Sequence, residues 1–170
     1  VAAVVEELNS IHGMAVNEKH AVPLDSSAGW EDEEQFAAAI NKAFVDGKDV
    51  VITDGIDFGF SGSSPSTVAI VVPDGRTLHV HGGFDSEGYL DDGGVNAYGV
   101  TIDIDGGGTI INHGHLQIGL LNIKDGGTLT NVEDSHIDNC RTIVNAGTIE
   151  NAGTIYNDCG SLLGTIENGG

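Results

Sequence analysis

Asn145-Ala-Gly-Thr-Ile-Glu150 runs directly into Asn151-Ala-Gly-Thr-Ile-Tyr156, and this doubled hexapeptide decides how the rest of the chain is read. Looser forms of it occur at Gly108-Thr-Ile-Ile-Asn112, Gly127-Thr-Leu-Thr-Asn131 and Gly164-Thr-Ile-Glu-Asn168. Aligned on Gly-Thr-Ile/Leu, a longer period passes through Gly108, Gly127, Gly147 and Gly164 in steps of 19, 20 and 17 residues. Short units nested in a turn of about 18–20 residues are what a parallel β-solenoid with three faces per turn requires.

The physics of one unit supports that reading. Thr-Ile-x or Thr-Leu-x makes a very short strand whose Ile or Leu points inward while its neighbours point outward. Asn and Gly make the corner, where left-handed backbone angles cost little. Stacked turns, about 4.8 Å apart, lay Ile on Ile and let corner amides form ladders. The expected corner residues are Asn112, Asn131, Asn145, Asn151, Asn157 and Asn168. No single turn buries its own apolar face, so the stack itself is the predicted fold.

Working upstream, Val50-Val51-Ile52, residues 68–72, Leu78-His79-Val80 and residues 100–104 read as further short strands. Residues 82–96, rich in Gly and Asp, are predicted to protrude as a loop. Two segments have helical spacing instead. Residues 31–46 place Phe36, Ala37, Ile40 and Phe44 on one face, with acidic residues in the first turn and Gly47 as C-cap. Val1, Val4, Val5, Leu8 and Ile11 are spaced in the same way. The predicted class is therefore all-β with N-terminal helices, a single domain with a helical cap over residues 1–47 and a solenoid over 48–170. A helix laid on the first turn would cover a sheet edge, whereas no cap is expected beyond the last repeat.

Composition narrows the function classes. The 170 residues include 26 Gly, 26 Asp+Glu and only 6 Lys+Arg, for a net charge of −20. That charge repels phosphate backbones and anionic membranes, so nucleic acid is not an expected partner. Cations and positive surfaces are, and a halophilic source would produce the same balance. Aromatics make up 5% of the chain while 39% is hydrophobic, which suits thin aliphatic layers better than one bulky centre. No apolar stretch is long enough to span a membrane as a helix. A chain opening on Val1 fits a mature protein relieved of a signal peptide, a setting in which disulfides are permitted.

The amphipathic helix followed by Lys48-Asp-Val-Val-Ile-Thr53 and Ile70-Val-Val-Pro-Asp-Gly-Arg-Thr-Leu78 resembles the N-terminal caps of right-handed β-helices of the pectate-lyase-like type. The Asn-x-Gly-Thr-Ile units resemble filamentous haemagglutinin-type adhesin repeats. In its acidic, Gly-rich character the chain also resembles the sheath proteins of methanogenic archaea. These resemblances imply the fold, and they do not by themselves carry a function.

Candidate sites each have two readings. Cys140 and Cys159 stand 19 residues apart, about one turn, in the contexts Asp138-Asn-Cys140 and Asn157-Asp-Cys159. Stacking would bring them within disulfide reach; the alternatives are a bridge between subunits and buried free thiols. His79 and His81 flank Val80, and His113 and His115 flank Gly114, so each pair could chelate a metal or decorate a solvent face. Asp85, Glu87, Asp91 and Asp92 offer hard oxygens to calcium, or form a solvated acidic loop. Asp103 and Asp105 carry the same ambiguity.

Pectate-lyase-like folds often host catalysis, which would need a basic residue to take a proton, usually with calcium. The only arginines are Arg76 and Arg141, neither in a distinctive motif. Among 26 acidic residues, hydrolase-like carboxylate pairs arise by chance, and no G-x-S-x-G element occurs. The expectation is a non-enzymatic, secreted structural protein that assembles with itself through sheet edges into a surface layer, sheath or fibre. No cofactor is expected, calcium excepted. The alternatives are an adhesin or phage-fibre fragment binding a glycan through residues 82–96, and a polysaccharide lyase-like enzyme.

Overall fold

The computed structural model describes residues 21–25, 33–53, 69–81, 83–84, 90–91, 94–159 and 162–169. Helix α1 spans Glu33–Val45 and forms where the apolar spacing is helical. Phe36, Ala37, Ile40 and Phe44 are all buried. The helix stops at Gly47, whose φ of 75° is left-handed. Gly47 N–H donates to Phe44 O (2.9 Å) and Lys48 N–H to Ala43 O (3.0 Å), the paired closure of a Schellman cap. Arg76 adds its guanidinium to the Gly47 carbonyl at 2.6 Å, a cation at the negative end of the helix. The segment at Val1 to Ile11, also expected to be helical, lies outside the described residues.

The strands, in order, are β1 (Ala21–Leu24), β2 (Asp49–Ile52), β3 (Ala69–Val72), β4 (Thr77–Val80), β5 (Gly83–Phe84), β6 (Leu90–Asp91), β7 (Gly94–Ile104) and β8 (Thr109–Asn112). There follow β9 (His115–Ile123), β10 (Thr128–Asn131), β11 (His136–Asn145), β12 (Thr148–Asn151), β13 (Thr154–Tyr156), β14 (Asp158–Cys159), β15 (Leu162–Leu163) and β16 (Thr165–Asn168). One parallel sheet has the order β1-β2-β4-β8-β10-β12. The other runs β3-β7-β9-β11-β13, with β16 also on β11. Mostly parallel short strands in two sheets, visited alternately by the chain, are compatible with a solenoid. Two small antiparallel pairs, β5–β6 and β14–β15, stand apart from the sheets. The stretch expected to be one loop over 82–96 thus contains the β5–β6 pair and already enters β7 at Gly94.

Register explains the repeat. Thr109, Thr128 and Thr148 pair in one column, as do Ile110, Leu129 and Ile149, and Asn112, Asn131 and Asn151. The fourth repeat departs from expectation. Thr165 pairs with Thr142 and Ile166 with Ile143, placing Gly164-Thr-Ile-Glu-Asn168 in the other sheet and not above Gly147. Its 17-residue step includes the β14–β15 pair, so it does not complete a turn. The three expected faces also merge into two sheets. The second and third faces run on as one bent strand, with register shifts between Asn139 and Thr142 and between Ala97 and Thr101. At the β11 bend, Arg141 N–H donates to Asn139 Oδ1 (3.3 Å) and Cys140 is buried.

The two ends of the stack are built differently. At the first, α1 packs on β2 and β3. Asn41 on this helix donates from Nδ2 to Ala69 O (2.8 Å) and accepts from Val71 N–H (2.9 Å). Its side-chain amide stands in for a neighbouring strand along the edge of β3, a feature no sequence pattern announced. At the other end, β12 and β16 are exposed on three of four residues, and Ile149, Ile155 and Ile166 are only partly buried.

Candidate functional site

The asparagine corners form three separate rows. Asn112 donates to Asn131 Oδ1 (2.8 Å), and Asn131 donates to Asn151 Oδ1 (2.8 Å). Asn139 donates to Asn157 Oδ1 (3.0 Å), and Asn145 to Asn168 Oδ1 (3.1 Å). Asn112, Asn131 and Asn139 are fully buried, so the first two rows satisfy amides that could not otherwise leave water. Asn139 was missed in the sequence because no Gly-Thr-Ile or Gly-Thr-Leu unit adjoins it on either side.

The second row corrects one expected alignment. Asn157 lies over Asn139, so the Asp138-Asn-Cys140 and Asn157-Asp-Cys159 contexts are offset by one residue. Cys140 is disulfide-bonded. Cys159 belongs to β14, and its side chain is outside the described residues.

Chemistry gathers at the corner after β4 and β8. In β4, Leu78 and Val80 face the core, so His79 must face outward by strand alternation, and His81 follows on the same side. The β4–β8 register pairs Leu78 with Ile110 and Val80 with Asn112. It continues one step further, since His113 N–H donates to Val80 O (2.7 Å), which sets His113 over His81. Their rings are stacked with centroids 4.2 Å apart and planes 7° apart. His79 lies 5.9 Å from His113 and 6.3 Å from His81, again nearly parallel. One ring nitrogen from each of the three comes within 4.8 Å of the others. His79 and His81 are 5% and 7% exposed, and His113 is half-buried. Burial pushes the His79 imidazolium below its ordinary pKa, with the nearby Asp49 carboxylate opposing.

This arrangement revises the paired-histidine expectation. His79 and His81 do share a face, but His113 and His115 do not act as a pair. Alternation holds only within a strand, and the chain bends at His113-Gly114 between β8 and β9. His115 turns to Asp138 on β11, with Nε2 and Oδ2 2.8 Å apart.

Other expected sites are occupied or undescribed. Asp103 accepts from Asn122 Nδ2 (2.7 Å), and Asp105 pairs with Lys124 (2.5 Å). These contacts tie adjacent turns together. Of the calcium candidates, Asp85, Glu87 and Asp92 lie outside the described residues, as does the side chain of Asp91. Arg76 is engaged with the end of α1 and sits 3.8 Å from Asp49.

With this geometry in place, comparison with known proteins adds nothing to it. No family model, no curated protein and no solved structure matches the chain. Among the described residues, no helix is long and apolar enough to cross a membrane. The histidine corner and the exposed last rungs are therefore read on their own chemistry.

Proposed function

We propose that the chain is a parallel β-solenoid serving as an extracellular structural protein, which assembles with copies of itself through its sheet edges. The carrying observation is the state of the last rungs. β12, β13 and β16 are in parallel register with the strands beneath them, and β12 and β16 are exposed on three of four residues. Ile149, Ile155 and Ile166 remain partly buried, so another rung laid on them would complete the apolar column. The near-identical Thr-Ile-x sequences of these rungs favour in-register addition of a like strand.

Two further observations support this reading. A disulfide at Cys140 suits an oxidising, extracellular setting. Buried asparagine rows give a stack that resists unravelling, as a surface layer or sheath needs. The charge of −20 opposes close association, so calcium or another cation would promote it by screening.

Sedimentation velocity and electron microscopy over a rising concentration series, with and without calcium, test the proposal. Growing oligomers, fibres or sheets are expected, and Ile149→Lys with Ile166→Lys should abolish them while the β-type circular dichroism persists. A wild-type chain that stays monomeric throughout overturns the proposal.

A further inference from the structure

We propose that His79, His81 and His113 bind one divalent transition-metal ion of the zinc, nickel or copper class, clipping the turn that ends in β4 to the turn that ends in β8. Three imidazoles with a ring nitrogen apiece inside 4.8 Å are the donor set these borderline ions prefer, and one that calcium and magnesium do not. With metal–nitrogen bonds of about 2.0–2.1 Å, tetrahedral ligand nitrogens lie roughly 3.3 Å from one another. The present nitrogens are all within 4.8 Å, and the nearly parallel rings close on an ion by turning those nitrogens toward it.

Stacked histidines could instead be simple packing, and one atom argues against that. His79 Nδ1 is buried without a hydrogen-bond partner. Buried polar atoms are seldom left so unless a water, an ion or another ligand satisfies them. The backbone positions the cluster independently of any ion, because His81 and His113 are set by ladder bonds to Ile52 O and Val80 O. A ligand set held by a rigid stack loses little freedom on binding. The Asp49 carboxylate, near His79 and accepting from Thr77 N–H (2.9 Å), adds negative potential behind the site. Half-buried His113 gives the ion a way in.

Metal binding is independent of assembly and is measured on dilute protein. The chain, stripped with chelator, is titrated with Zn²⁺ by calorimetry and with Co²⁺ by visible absorption. One ion per chain is expected at the cluster, with cobalt d–d bands and a raised thermal midpoint, since the ion binds only the folded state. His113→Ala and His81→Ala should each weaken Zn²⁺ binding by more than about tenfold and remove the cobalt bands. His115→Ala, whose imidazole is engaged with Asp138, should bind as wild type does. Diffuse cation binding to the acidic surface would give the opposite pattern, with Zn²⁺ uptake equal in wild type and in both cluster variants. That result, or no uptake by the folded wild type, overturns the inference. Should the variants fail to fold, imidazole resonances of the wild type decide. Zn²⁺ must move those of His79, His81 and His113 together, and unmoved resonances count against the site.

Discussion

The two ends of the stack use the same kind of rung and finish it in opposite ways. At the first end, α1 seals the core, and Phe36 and Ile40 have no exposed surface. Asn41 completes the hydrogen bonding of β3 with its own amide. At the other end, the Thr-Ile-Glu-Asn rungs have no further strand paired on them among the described residues, and their isoleucines are only partly buried. An isoleucine in these parallel sheets is thus stabilised by its neighbours along the stack, and identical residues differ in energy according to what lies above them.

The largest effect should come from breaking the seal. Phe36→Ala removes a fully buried ring from the contact between α1 and the first turns. The expected loss is about 3–5 kcal/mol, read from the midpoint of urea unfolding by circular dichroism. A loss no greater than that of Ile149→Ala would show that the helix is an accessory and not a cap.

Much of this contrast was legible in the sequence, and the reasons it was not all legible are physical. The doubled Asn-Ala-Gly-Thr-Ile unit announces short parallel strands because alternation and corner chemistry are local properties of a few residues. The Gly47 cap is readable for the same reason. Bends are not. Nothing local shows that the run through Asn139, Cys140 and Arg141 bends within a single strand, so the merging of two faces into one sheet was not readable. The histidine corner needed the register of turns 32 residues apart, which His81 and His113 show only once β4 and β8 are paired. Asn41 was invisible because its partners, Ala69 and Val71, are set by tertiary packing.

An intermediate effect should distinguish the middle of the stack from its open end. Asn131 accepts from Asn112 and from Ser135 Oγ (2.7 Å), and donates to Asn151 and to Thr154 O (3.2 Å). Replacing it with Ala leaves several buried groups short of a partner and should cost about 2–3 kcal/mol. Asn145 lies in the row nearest solvent, and its bond to Asn168 is exposed. Asn145→Ala should cost about 1 kcal/mol or less, because water replaces the lost partner. Equal losses at the two positions, measured by the same urea titration, would mean that the rows do not sense depth.

The smallest effect is the one that ties the open end to its proposed use. Leu78, Ile110, Leu129 and Ile149 form one inward column along the first sheet, and only Ile149 lacks a complete covering. Leu129→Ala should cost the roughly 2–5 kcal/mol usual for a buried aliphatic side chain. In dilute solution Ile149→Ala should cost about 1 kcal/mol, since much of its surface meets water in either state. That modest figure should not stay constant. If copies add to the last rung, association stabilises the wild type in proportion to the logarithm of free concentration and leaves the variant behind. The gap between the unfolding midpoints of wild type and Ile149→Ala should therefore widen as protein concentration rises, while that for Leu129→Ala widens less. A gap at Ile149 that is independent of concentration would make the open end merely an unfinished core.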